Sequence, residues 1–109
     1  MLRIYDDWMK MMPEFGRVLA RIAKRDSDLA RQGRKTTSSV ALNIAEGFGS
    51  QEGNKRSRYE TALGACQESR SVFEVAALWG YIEPMTEERK RFFNSICMAL
   101  LKLSAKKVA

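Results

Sequence analysis

Six positions in one stretch, Leu29, Gly33, Thr36, Val40, Asn43 and Gly47, recur at spacings of 4-3-4-3-4. At roughly 100° per residue they share one face of a helix. Most of that face is small, so a second helix can approach its backbone closely. Asn43 sits in the middle, where a bundle ordinarily places leucine. A buried amide without partners costs about 1–3 kcal/mol, so other helices are expected to bring polar groups to this point. The chain is read as a helical bundle organised around QGRKTTSSVALNIAEGF, residues 32–48, within a helix predicted over 28–48.

The remaining apolar residues repeat the helical period, and no strand candidate survives. A first helix is predicted over 2–24, where Ile4, Trp8, Met11, Phe15, Val18 and Ile22 again recur at 4-3-4-3-4. Pro13 projects from the opposite face and leaves the apolar phase unchanged, so one kinked helix is expected rather than two. Asp26, Ser27 and Asp28 mark the following break, each able to cap a helix start. Gly47, Gly49, Ser50, Gly53 and Asn54 form the next loop, which lacks the spacing and preceding strand of a nucleotide-binding loop. A third helix, over 54–79, carries two apolar bands: Tyr59, Leu63, Cys66, Phe73, Ala77 and Gly80, and beside them Ala65, Val72, Val75, Ala76 and Trp79. Gly80 and Pro84 frame a turn. Thr86 caps a fourth helix over 86–105, with Glu87 and Glu88 in its first turn and Lys102, Lys106 and Lys107 in its last, as the helix dipole prefers. Phe93, Ile96, Leu100 and Leu103 form its core stripe, flanked by Phe92. The expected fold is all-α, an antiparallel up-down four-helix bundle in a single domain over 1–109. The third helix is apolar over more than half its circumference, and Leu42, Ala41 and Ala45 give the second helix another apolar face. Both features predict a homo-oligomer.

Hydrophobic residues make up 45% and charged residues 29%, which suits a globular chain rather than a disordered one. There is no histidine. That removes the commonest general base, the commonest metal ligand and the Ser-His and Cys-His pairs. Cys66 and Cys97 match no metal or redox spacing and fall on apolar helix phases, so buried thiols in a reducing cytoplasm are expected. No basic leader with an apolar run and no membrane-length apolar stretch is found, so a cytoplasmic location without a membrane partner is expected.

The formal net charge is +6, which favours acidic partners, nucleic acid first. From Arg17 to Lys35 there are seven basic residues against two acidic ones. The phosphate-binding candidates are Arg17, Arg21, Lys24, Arg25, Arg31, Arg34 and Lys35, joined by Lys55, Arg56 and Arg58 near the start of the third helix. Most aromatics lie on core phases, so contact with a structured RNA backbone is expected rather than stacking on bases. Glu46 and Glu68 could be paired as general acid and base. With no histidine, no metal spacing and no nucleophile beside a base, they are assigned instead to a structural polar network with Asn43, which Arg34 either joins or leaves for the surface. No catalytic residue, metal ligand or cofactor is expected.

SSVALNIAEGFG, Ser38–Gly49, resembles the S-x-x-x-N-I-A-E-G signature of small bacterial four-helix-bundle proteins encoded by intervening sequences in 23S ribosomal RNA genes. ALGACQE, Ala62–Glu68, is similar to that family's A-x-G-S-x-x-E motif, with Ala65 in place of serine. AALWGYI, Ala76–Ile82, resembles its ending of the third helix, and Leu29, Gln32 and Arg34 fit the start of the second. The resemblance covers about residues 29–82. It implies an antiparallel four-helix bundle that assembles as a homopentamer, and kinship with the accessory proteins of diversity-generating retroelements. Those bind a reverse transcriptase and its RNA. The expected function is a non-enzymatic oligomer binding structured RNA. The alternative is an interaction scaffold or accessory subunit, for example for a reverse transcriptase, with no nucleic-acid role of its own.

Overall fold

A computed structural model describes residues 2–105 as four helices in sequence: α1 (Arg3–Ala23), α2 (Ser27–Phe48), α3 (Glu52–Leu78) and α4 (Glu87–Ala105). Lys106 and Lys107, expected in the last turn of the fourth helix, lie outside the described residues. α1 runs through Pro13 without a break. The ring removes the hydrogen bond to the Met9 carbonyl, but Met9 and Pro13 are both on the exposed side, where solvent can serve that oxygen. Asp26 caps α2 by accepting from the Leu29 amide at 3.0 Å, and Thr86 Oγ1 accepts from the Arg89 amide at 3.1 Å. α3 begins two residues earlier than the glycines suggest. Gly47 closes α2 and Gly53 opens α3, so the connection shrinks to Gly49–Gln51. Gly80, at φ +81°, turns the chain after α3, a conformation a Cβ would disfavour.

The molecule measures 48 × 24 × 20 Å, and sequential helices pack as antiparallel neighbours. α2 and α3 form the closest pair, in a register where Gly47 meets Tyr59, Thr36 meets Ser69 and Gly33 meets Val72. Two glycines permit this approach. A Cβ on Gly47 would lie 2.7 Å from Tyr59 Cε1, and one on Gly33 would overlap Leu19 Cδ2 and stand 3.1 Å from Val72 Cγ1. The α1 and α4 backbones stay farther apart, because aromatic rings fill the space between them. Trp8 and Phe15 lie with centroids 5.1 Å apart, Phe15 stacks on Phe93 at 5.6 Å, and Phe73 reaches in from α3 to 5.4 Å from Phe15. Trp8 is fully buried, and its indole Nε1 donates to the Thr37 carbonyl of α2 at 2.9 Å.

Two sequence expectations about apolar faces change here. Ala41 does not point outward with Leu42; it is buried in the core, and Leu42 faces solvent beside a half-buried Ala45. The two residues are about 100° apart on the helix, enough to separate core from surface. At the end of α3, Val75, Leu78 and the capping Trp79 are exposed, Leu78 by 88% and Trp79 by 68%. The apolar excess read from the third helix is therefore concentrated near its C-terminal end. No helix among the described residues is long and apolar enough to cross a membrane.

Candidate functional site: a cationic end and a polar clamp

The signature segment closes the α2–α3 hairpin. Asn43 and Glu46, three residues apart, share one side of α2. Arg58 of α3 donates to Asn43 Oδ1 at 3.3 Å and pairs with Glu46 at 3.1 Å. The Asn43 amide nitrogen donates back to the Ser39 carbonyl and hydroxyl. Gly47, one turn after Asn43, admits the Tyr59 ring that follows Arg58. Burial of that ring raises the Tyr59 phenol pKa.

This geometry corrects the predicted network on two points, the burial of Asn43 and the place of Glu68. Asn43 is half-buried at the rim rather than fully enclosed. Glu68 is not part of the cluster: it accepts from Gln32 Nε2 at 2.7 Å. Gln32 lies eleven residues before Asn43, about 16 Å along the helix. Arg34 is exposed and joins neither group. Arg58, read as a phosphate-binding cation, has its charge held by Glu46. A fully enclosed polar contact between α2 and α3 lies elsewhere. Ser69 Oγ is 3.0 Å from Thr36 Oγ1 and 2.8 Å from the Ala65 carbonyl. The signal for it was a serine on the α3 face that carries Ala62, Ala65 and Val72, opposite the small face of α2. Among the described residues, no buried side-chain nitrogen or oxygen lacks a partner, so the interior leaves no hydrogen bond for a ligand to satisfy.

Because the Arg58–Glu46 pair is about half exposed, water screens it. Glu46→Gln is expected to cost no more than about 1 kcal/mol in urea unfolding at fixed protein concentration. A loss above about 2 kcal/mol would restore the predicted buried network.

The ten predicted phosphate-binding residues divide between the two ends of the bundle. Arg17, Arg21, Lys24, Arg25, Arg31, Arg34 and Lys35 all lie within about 12 Å of axial length of the α1–α2 turn. Lys55, Arg56 and Arg58 lie at the opposite end, about 20 Å beyond Lys35. The seven occupy at least two sides of that end instead of sharing one face. Arg21 borders a recess with Val18 and Arg89 on the α1–α4 side, while Arg31 and Lys35 line the groove between α2 and α3. Some are engaged. Arg17 pairs with Glu14, which also accepts from Arg89 of α4, and the Arg17 hydrogen bond and then Arg89 lower the Glu14 pKa. Arg31 pairs with Asp28 at 2.9 Å. The Arg25 guanidinium lies over the Tyr81 ring, 5.4 Å from its centroid. Among the described residues, Arg21, Lys24, Arg34 and Lys35 are exposed and form no ion pair. No group of three or more potential metal ligands gathers among the described residues.

Neither a curated protein nor a solved structure matches the chain. The sequence profile described as 23S rRNA-intervening sequence protein matches residues 1–102. With that match over nearly the whole chain, and four helices whose signature residues clamp the central hairpin, the chain belongs to the family of 23S rRNA-intervening sequence proteins.

Proposed function

We propose that this protein is a non-enzymatic, cytoplasmic bundle that binds structured RNA through phosphate contacts made by the α1–α2 end. The observation that carries the reading is the set of unpaired cations there, Arg21, Lys24, Arg34 and Lys35. Ammonium and guanidinium groups around a blunt end suit a backbone and need no base-edge readout. The family's description, tied to 23S rRNA, favours RNA over other polyanions. Assembly as a homopentamer would cover exposed apolar residues such as Leu42, Leu78 and Trp79 and multiply the cationic ends on one particle.

The test is binding of a labelled structured RNA at two salt concentrations, with light scattering to follow assembly. For about four phosphate contacts, affinity should fall roughly 100-fold between about 50 and 200 mM salt. The triple variant Arg21→Glu, Arg34→Glu and Lys35→Glu should bind at least about 100-fold more weakly, with unchanged helicity. Reversing Lys55 and Arg56 at the other end should change affinity by no more than about threefold. Salt-insensitive binding, or equal losses from both ends, would defeat the proposal.

The exposure of Leu78 and Trp79 favours a second reading, a scaffold that docks a protein such as a reverse transcriptase on the apolar residues ending α3, beside the α1–α2 turn. Recovery of a stoichiometric protein partner without RNA, unaffected by the triple reversal, would select it.

A further inference from the structure

Cys66 and Cys97 are separated by 31 positions in sequence, yet their sulfur atoms lie 3.4 Å apart where α3 meets α4. The two thiols have different access. Cys66 is fully buried, whereas Cys97 is half-buried and lines an open groove with Leu63, Gln67, Arg70, Met98 and Leu101. The groove therefore leads to one sulfur, and the second stands directly behind it. Arg70 brings positive charge to the same groove, its guanidinium fixed by Asn94 at 2.8 Å and Glu74 at 3.4 Å. A disulfide requires a sulfur separation of about 2.05 Å, so bonding would close the observed gap by about 1.4 Å.

We propose that Cys97 is a hydroperoxide-reactive thiol and Cys66 its resolving partner, so that the α3–α4 pair closes reversibly to an intramolecular disulfide. In the first step the Cys97 thiolate attacks one peroxide oxygen. A sulfur–oxygen bond forms, the oxygen–oxygen bond breaks, and the departing alkoxide or hydroxide takes a proton from water. The peroxide is reduced by two electrons and Cys97 becomes a sulfenic acid. In the second step Cys66 attacks the Cys97 sulfur. The sulfur–sulfur bond forms, the sulfur–oxygen bond breaks, and the Cys66 proton leaves with the hydroxyl as water. A low-molecular-weight thiol reverses the reaction by exchange.

The electrostatics make Cys97 the first of the two thiols to ionise. Its hydrogen bond with Cys66, assisted by the Arg70 charge, lowers the Cys97 thiol to about 7 against the opposing effect of burial. Contact with Cys97 and then burial hold Cys66 well above the usual thiol range. The reachable sulfur is thus the one that ionises, and the enclosed sulfur keeps its proton until the second step.

The experiment treats the reduced, full-length protein with hydrogen peroxide at neutral pH and maps its peptides without reduction. The expected product is a single Cys66–Cys97 crosslinked species, lighter by about 2 Da and restored by dithiothreitol. Cys97 should react roughly threefold faster than free cysteine, its larger thiolate fraction outweighing the lower nucleophilicity of a more acidic thiol. In Cys66→Ala, Cys97 should be trapped as sulfenic acid by dimedone or proceed to sulfinic acid. In Cys97→Ser, Cys66 should remain reduced. The wild-type protein alone can overturn the proposal. It fails if Cys97 becomes sulfinic while Cys66 stays a free thiol, if only intermolecular crosslinks form, or if Cys97 reacts no faster than free cysteine.

Discussion

Trp8→Ala is expected to destabilise the protein by about 3–5 kcal/mol, the range for deleting a large aromatic side chain from a packed core. Trp8 is fully buried and touches rings from two helices, with centroids 5.1 Å from Phe15 and 5.9 Å from both Phe92 and Phe93. Those rings keep the α1 and α4 backbones apart, so the backbones cannot readily close over the vacancy. The indole N–H is also the tie from α1 to the Thr37 carbonyl. Trp8→Phe separates the two contributions. It retains much of the ring volume, loses the hydrogen bond and part of the packing, and should cost about 1–2 kcal/mol. The measurement is urea unfolding followed by far-ultraviolet circular dichroism at one fixed protein concentration, because assembly would add a concentration-dependent contribution. A Trp8→Ala loss below about 1.5 kcal/mol would show that the aromatic cluster does not hold α1 on the bundle.

Gly33→Leu should cost about 3 kcal/mol, at the upper end of the overpacking range. A leucine is a better helix former than glycine by about 0.5–1 kcal/mol, so the sign depends on space alone. A Cβ at this position already overlaps Leu19 Cδ2 and stands 3.1 Å from Val72 Cγ1. The decisive comparison is a double variant. Leu19→Ala alone should cost about 2–5 kcal/mol by leaving a cavity. With Gly33→Leu the cavity and the excess volume offset one another, so the pair should be more stable than additivity predicts by about 2 kcal/mol. Additive losses would mean that Leu19 and residue 33 do not share the space the structure assigns them.

The residues differ in how far their roles could be read in advance. Trp8, Phe15, Ile22, Val40, Phe93, Ile96 and Leu100 fall on regular helical stripes, and all are buried. A period of 3.6 is a local property, and alternation between core and water imposes it on each helix separately. The same reasoning found the Thr86 cap, because a cap is completed within one turn. Gly33 and Gly47 were recognised as permitting close approach, but Leu19 and Tyr59, which occupy that space, could not be named. Asn43 shows the limit from the other side. A polar residue on an apolar stripe was expected to be enclosed, but it lies where the stripe reaches the groove edge, close enough for Arg58 to turn inward to it. The rotation that separates rim from core is only a fraction of a turn, and helix packing sets it.

The sequence by itself determined the number of helices, their polarity and the main stripe that α1 and α4 bury, because these follow from local periodicity and capping. It also determined that cations would concentrate around the first turn of the chain. Only the tertiary structure decided which distant groups meet. Glu46 is joined to Arg58, Glu68 to Gln32, Ser69 to Thr36 and Cys97 to Cys66. The physical reason is register: one residue of rotation moves a side chain by about 100°, and one turn moves it by about 5.4 Å. Both displacements exceed the reach of a hydrogen bond, and neither is set by periodicity within one helix.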